Sequence, residues 1–131
     1  MMKDIDTIIL TKRELQIMKV VWERGTATVK DVFEAISKKE ATAYTTILTL
    51  MGILEEKGVL AHSRSGRAYL YRPLISRRQA TRNQVRDILH RFFDGNPEKL
   101  IETVLEEELE KPELIEPVRG ILSSRRQNQV A

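Results

Sequence analysis

Cysteine is absent from the 131 residues. That removes disulfides, thiolate metal sites and cysteine nucleophiles in one step. Aromatics are scarce too, at 5%, so a core has to be assembled chiefly from Leu, Ile and Val. No apolar run approaches the roughly 20 residues that cross a bilayer. The opening MMKDIDTIIL carries acids and lacks the apolar centre of a secretory signal. These features predict a soluble, cytoplasmic chain without membrane insertion. No Ser-His-Asp arrangement, glycine-rich phosphate loop or H-E-x-x-H pair occurs, which leaves catalysis without a motif. His62 and His90 are the two histidines, and nothing pairs them at a metal-ligand spacing. Glu106-Glu107-Glu108 lacks the Asp and Gly of a calcium loop and reads as a solvated helix face. We therefore expect no enzyme activity, no metal and no cofactor.

What is present is charge, unevenly distributed. The net charge is only +3, but Lys57 to Arg91 holds nine basic residues against the single acid Asp87. Phe92 to Glu116 then holds nine acids against Lys99 and Lys111. Such asymmetry points to a basic face for a polyanion and an acidic segment kept away from it.

Apolar periodicity places the elements. Thr11 with Glu14 forms a capping box opening a helix whose stripe is Leu15, Met18 and Trp22, with Ile17 and Val21 alongside. Trp22 reads as core, and Gly25 supplies the stop. Thr28 and Asp31 open a shorter helix carrying Val29, Val32, Phe33 and Ile36, ending in Ser37-Lys38-Lys39-Glu40. A third helix is predicted from about Thr42 to Lys57, closing on Gly58. Its inner face is Ile47, Leu50, Met51 and Leu54; its outer face is Thr45, Thr49, Gly52 and Glu56, flanked by Thr42 and Thr46. Leu48 and Ile53 are misfits that point partly outward. After Gly58 the period shortens to about 2, and residues 59–63 and 68–72 pair as a hairpin around Arg64-Ser65-Gly66-Arg67, ended by Pro73. Three helices followed by a basic-tipped hairpin are the parts of a winged helix-turn-helix. The expected fold is thus mainly α with a small β-hairpin wing.

From Ser76 the pattern changes. Ser76 and Gln79 make another capping box, opening a long helix with the stripe Ala80, Val85, Ile88, Leu89 and Phe92. Asp94-Gly95-Asn96-Pro97 is a turn with Pro at the first helical position. The next helix carries Leu100, Ile101, Val104, Leu105 and Leu109 until Pro112. Leu114, Ile115, Val118, Ile121 and Leu122 belong to a last helical piece, and residues 125–131 read as frayed. So short an arm struggles to bury its apolar faces alone. We expect residues 1–75 to form one domain and residues 76–131 a helical dimerisation region. Its seam would be Ile88, Leu89, Phe92, Leu100, Ile101, Val104, Leu105, Leu109, Ile121 and Leu122.

The segment AYTTILTLMGILEEKGVL, together with Trp22, TVKDVFEAI and GRAYLYRPL, resembles the penicillinase-repressor family of winged-helix transcriptional regulators (the BlaI/MecI type). The resemblance covers residues 10–75 well and residues 76–131 in pattern. It implies a homodimeric repressor whose winged helix reads a palindromic operator in double-stranded DNA and whose C-terminal helices hold the dimer. It also implies release from DNA, by a regulatory protease under a membrane sensor or, in a copper-responsive branch, by metal at a cysteine cluster. The lack of cysteine excludes the copper mechanism for this chain. The family's cut at an Asn–Phe bond corresponds to Thr103-Val104, which departs at both positions.

The residues expected to meet DNA follow from the elements. A recognition helix enters the major groove with its N-terminal residues at the base edges, which selects Thr42, Tyr44, Thr45, Thr46 and Thr49. Threonine hydrogen-bonds base edges or phosphate, and its methyl packs on thymine. Tyr44 serves equally as a phosphate donor or as flank packing. Arg64 and Arg67 at the wing tip are assigned to phosphate, which positions without choosing sequence. Arg77, Arg78 and Arg82 read as a solvated helix start. A competing use of the same parts is a protein–protein or RNA interaction module.

Overall fold

Local capping decides where the first two helices begin. The structure is a computed structural model and describes residues 4–108, 113 and 115–130. Helix α1 spans Lys12–Arg24. The Thr11 hydroxyl accepts the Glu14 N–H at 3.2 Å, and Glu14 Oε1 accepts the Thr11 N–H at 2.8 Å. Helix α2, Val29–Ser37, opens on the same reciprocal arrangement between Thr28 and Asp31, at 3.1 and 3.0 Å. Each box satisfies two backbone donors that a helix start leaves unpaired. Gly25, at φ +86°, ends α1 in a region costly for a residue with a Cβ.

Helix α3, Tyr44–Glu56, starts two residues later than expected, because Ala43 is still extended (φ −98°, ψ 144°) and acts as its N-cap. Two antiparallel strands follow, β1 (Leu60–Ser65) and β2 (Ala68–Pro73), in a register running from Leu60↔Pro73 to Ser65↔Ala68. The turn is therefore shorter than expected. Only Gly66 and Arg67 lie between the strands, and Arg64 sits inside β1 opposite Tyr69. Gly66 at φ +64° takes the first loop position of a tight two-residue hairpin, whose twist suits the flanking strands. Ala27, between α1 and α2, adds a one-residue third strand: it exchanges backbone hydrogen bonds with Tyr71 at 3.0 and 2.8 Å. A single bridging residue has no period, so the sequence carried no sign of it.

The core lies among these elements. Ile17, Met18, Val21, Val32, Ile47, Met51, Leu54, Val59 and Leu60 are almost fully buried. Trp22 packs against this cluster and donates its indole N–H to the Ile75 carbonyl at 2.9 Å. The α1 stripe is shifted by one residue from expectation: Leu15 is only half-buried, whereas Glu14 is 1% exposed. Its carboxylate meets the Lys57 ammonium at 2.7 Å, and Lys57 Nζ also reaches the Ile9 carbonyl at 3.4 Å. Lys57 is thus an internal counter-ion and leaves the basic tract in which its charge had placed it.

Helix α4 spans Arg77–Phe93. Its opening is half a capping box: the Gln79 N–H donates to Ser76 Oγ at 3.0 Å. The Gln79 amide itself turns to Asn83 Oδ1 at 2.8 Å and Asp6 Oδ1 at 3.1 Å. The docked side of α4 also differs from the expected stripe. Val85 is 47% exposed, and the buried residues are Ala80 and Asn83. Asn83 donates to the carbonyls of Ile5 and Ile8 at 2.7 and 3.0 Å, pinning α4 to the 3-10 turn Ile5–Thr7 and the strand-like residues after it. One compact unit accordingly runs from Met1 to Arg86, and a second from Asp87 to Ala131.

In the second unit, Asp94 (φ 49°) and Gly95 (φ 80°) make the turn that ends α4. Asn96 Oδ1 accepts the Glu98 N–H at 3.0 Å and so caps α5, Pro97–Glu108. Helix α6 spans Ile115–Val130. Pro117 is therefore in its first turn, and residues 125–130, expected to fray, continue the helix. None of the described side chains of residues 87–131 is buried. Phe92 is 69% exposed and Ile121 62%; Ile88, Leu89, Leu100, Ile101 and Leu105 are half-buried. Leu109 and the side chain of Leu122 lie outside the described residues.

Candidate nucleic-acid interface

Helix α3 is amphipathic in an unusual way. Ile47, Met51 and Leu54 hold it in the core, and at 100° per residue the opposite arc runs through Leu48, Gly52, Thr45, Thr49 and Ile53. All five are exposed. Thr45 and Thr49 therefore share one open face, as expected. Thr46 is half-buried at its edge, and Thr42 is half-buried ahead of the helix. Leu48, the misfit of the sequence pattern, lies on the open face, 48% exposed.

The start of α3 contrasts with the starts of α1 and α2. Ala43 provides no side-chain cap and the Thr46 N–H turns to the Ala43 carbonyl at 3.1 Å, so the N–H groups of Tyr44 and Thr45 stay available to an outside acceptor at the positive end of the helix dipole. Tyr44 flanks this opening. Its ring meets Phe33 edge-on, with centroids 5.6 Å apart, and is 46% exposed. The packing role open to Tyr44 is realised; its hydroxyl carries no capping bond to α3.

The hairpin stands beside the far end of α3. His62 Nδ1 pairs with Glu55 Oε1, and its ring lies 4.6 Å from that of Tyr69 and 5.4 Å from that of Tyr71, centroid to centroid. These contacts tie β1 to α3. Direct cross-strand pairs share a face, so Arg64 and Tyr69 extend the same face of the hairpin as His62 and Tyr71. Arg67 stands at the tip. Among the described residues no ion pair engages Arg64 or Arg67, which leaves both guanidinium groups for an external anion. Tyr69, 52% exposed next to Arg64, joins this surface; as one residue of an alternating strand it carried no separate signal.

Gly52 sharpens the picture. A Cβ placed there would meet nothing within 4 Å, so the fold does not require glycine at that point. A glycine inside an exposed helix costs about 0.5–1 kcal/mol relative to alanine. Gly52→Ala is expected to raise the unfolding free energy by about that amount and to weaken duplex binding, because the added methyl stands on the open face. Urea unfolding and a binding titration of the same preparation check both signs. A variant that is stabilised and binds as before would show that no surface comes close to Gly52.

The chain is similar to known proteins over most of its length. The family model described as penicillinase repressor matches residues 10–124. The penicillinase repressor of Bacillus licheniformis is 28% identical over 117 residues, covering 89% of this chain and 91% of its own. The solution structure of the DNA-binding domain of the repressor BlaI superposes with a TM-score of 0.51 at 33% identity, covering 60% of this chain and 93% of that one. A second solution structure, of monomeric Bacillus licheniformis BlaI in complex with the blaP half-operator, gives a TM-score of 0.50 at 30% identity, covering 56% of this chain and 89% of that one.

Proposed function

Because the chain belongs to the penicillinase-repressor family, we propose that it is a transcriptional repressor that reads a palindromic operator as a homodimer. The observation that carries this reading is the open, uncapped first half of α3 together with wing arginines that no acid among the described residues engages. An exposed helix of this kind enters the major groove, with the hairpin over the neighbouring backbone. The relative solved on a half-operator supports the same use of these elements. Thr45 and Thr49 then face base edges, Thr42, Tyr44 and Thr46 border the groove, and Arg64 and Arg67 neutralise phosphates.

Homodimerisation is supported by the second unit. Residues 87–131 expose Phe92, Val104 and Ile121 and bury no described side chain, which leaves their apolar area to be covered by another copy. Such a protein works where the chromosome is, in the bacterial cytoplasm; no helix among the described residues is long and apolar enough to cross a membrane. A regulatory protease acting at Thr103-Val104 would meet a bond inside α5, where the Thr103 hydroxyl donates to the Lys99 carbonyl at 2.9 Å. Cleavage there requires α5 to unwind locally.

Arg67→Ala tests the reading. Each phosphate neutralised contributes about −0.9 to the slope of log K against log salt, and a dimer carries two wings. The variant is expected to weaken binding equally on operator and random duplex, with the slope shallower by up to roughly two units. Titrations of both proteins on both duplexes across several salt concentrations measure this. An unchanged slope removes Arg67 from the phosphates, and a loss confined to the operator makes the wing a reader of sequence.

A further inference from the structure

The open face of α3 is as informative for what it omits as for what it presents. Residues 41–54, ATAYTTILTLMGIL, contain no Arg, Lys, Asn, Gln, Asp or Glu; the first charged side chains are Glu55 and Glu56, at the end of the helix. Direct readout of guanine uses Arg or Lys on O6 and N7, adenine uses Asn or Gln on N6 and N7, and cytosine uses an acid on N4. None of these groups exists on the part of α3 that enters a groove. What remains is threonine, which bonds to several bases without discriminating strongly, and apolar contact, whose one target in the major groove is the C5-methyl of thymine.

Leu48 is the residue suited to that contact. It is 48% exposed on the same arc as Thr45 and Thr49, and Gly52, one turn further on, adds no bulk beside it. A half-exposed leucine at one edge of that face, a neighbour of Thr45 and Gly52 on the helix surface, gains nothing from water. Against a thymine methyl it buries apolar area on both partners.

We propose that Leu48 is a specificity-determining residue that reads thymine methyl groups, so that the operator half-site is fixed by methyl position rather than by hydrogen bonds to purines. The inference rests on the repressor reading above and deepens it. Thr45 and Thr49 orient the helix by hydroxyl contacts and lend their own methyls, and Leu48 supplies the discrimination.

The test uses the full chain and a pool of random duplexes, from which bound fragments are selected and their common motif read. Each thymine of the selected duplex is then replaced singly by deoxyuridine, which keeps every base-pairing and hydrogen-bonding atom and removes only the methyl. For the wild-type chain we expect one thymine per half-site at which the replacement weakens binding about fourfold, the factor equivalent to roughly 0.8 kcal/mol for one buried CH2-sized group. Replacement in both half-sites should cost roughly 16-fold. Leu48→Ala should bind the thymine duplex more weakly and lose the uracil penalty at that position, while Ile53→Ala, at the opposite edge of the arc and in the last turn of α3, should retain it. Equal thermal unfolding of the variants establishes that the exposed substitutions leave the fold intact. A full uracil penalty persisting in Leu48→Ala, or no penalty at any thymine, overturns the role of Leu48 and leaves the repressor reading standing. A selection that enriches no duplex overturns both.

Discussion

Replacing Lys57 by methionine is expected to destabilise the first unit by about 3–5 kcal/mol, the cost of stranding a buried charge. Glu14 is 1% exposed, and its Oε1 takes the Lys57 ammonium at 2.7 Å and the Thr11 N–H at 2.8 Å. Methionine keeps the aliphatic stem and removes the charge, so the carboxylate is left in the core with a backbone donor alone. Against a total of about 5–15 kcal/mol for a domain, that loss brings the unit near unfolding. Adding Glu14→Gln should recover most of it, because the neutral amide oxygen still closes the capping box. Urea unfolding of the single and double variants decides the matter; a loss below about 1 kcal/mol, within the range of ordinary surface pairs, or an absence of rescue, would remove Lys57 from this role. The pair also sets an acid limit. Burial pushes the Glu14 carboxyl up, but the Lys57 ammonium and the Thr11 donors outweigh it and hold the carboxyl below its ordinary value. A depressed acid contributes stability above its unfolded-state pKa and loses it as pH falls through the folded one. The wild-type chain should therefore weaken as pH drops through and below the glutamate range, and Glu14→Gln should weaken less steeply.

That pair also marks the boundary of what the sequence discloses. The capping boxes at Thr11 and Thr28 were legible because both partners lie three residues apart and the pattern is local. The salt bridge was not, because Lys57 lies 43 residues from Glu14, and a charged residue in a basic tract reads as solvated. The α4 stripe failed for the same reason. Asn83 is buried to reach the carbonyls of Ile5 and Ile8, more than 70 residues earlier, and no period of 3.6 announces a polar anchor. The wing was placed correctly as an element, but its tip was off by two residues. Gly66 and Arg67 alone make the turn, and alternation along a strand does not say where the ladder stops. On α3 the threonine face was legible from helical spacing, and Leu48 was visible only as a misfit. The same spacing that sends Ile47, Met51 and Leu54 to the core turns Leu48 outward, and the structure adds its degree of exposure, 48%.

The second large effect concerns assembly. Leu105→Glu, on a half-buried position midway along α5, is expected to give monomers in sedimentation at low micromolar concentration. Binding to a full palindrome should then fall by about 10²–10⁴, the advantage that linking two reading heads confers through effective concentration. Binding to a single half-site should change little, because α3 and the wing belong to the unit that ends at Arg86. A variant that remains dimeric would take Leu105 out of the seam. An equal loss on half-site and palindrome would place its effect in the reading head and count against an assembly role.

The lack of any buried described side chain in residues 87–131 also bears on how such a regulator answers to its own supply. In the proposed homodimer, residues 87–131 would acquire an interior only by meeting a second copy and would fold and associate in one event, so that chain concentration enters the equilibrium twice. While monomers predominate, halving the supply cuts the dimer about fourfold, and promoter occupancy follows the dimer. Silencing would then set in and lift over a narrow window of cellular dose. Modest changes in synthesis or turnover of the chain would suffice to throw the gene from one state to the other.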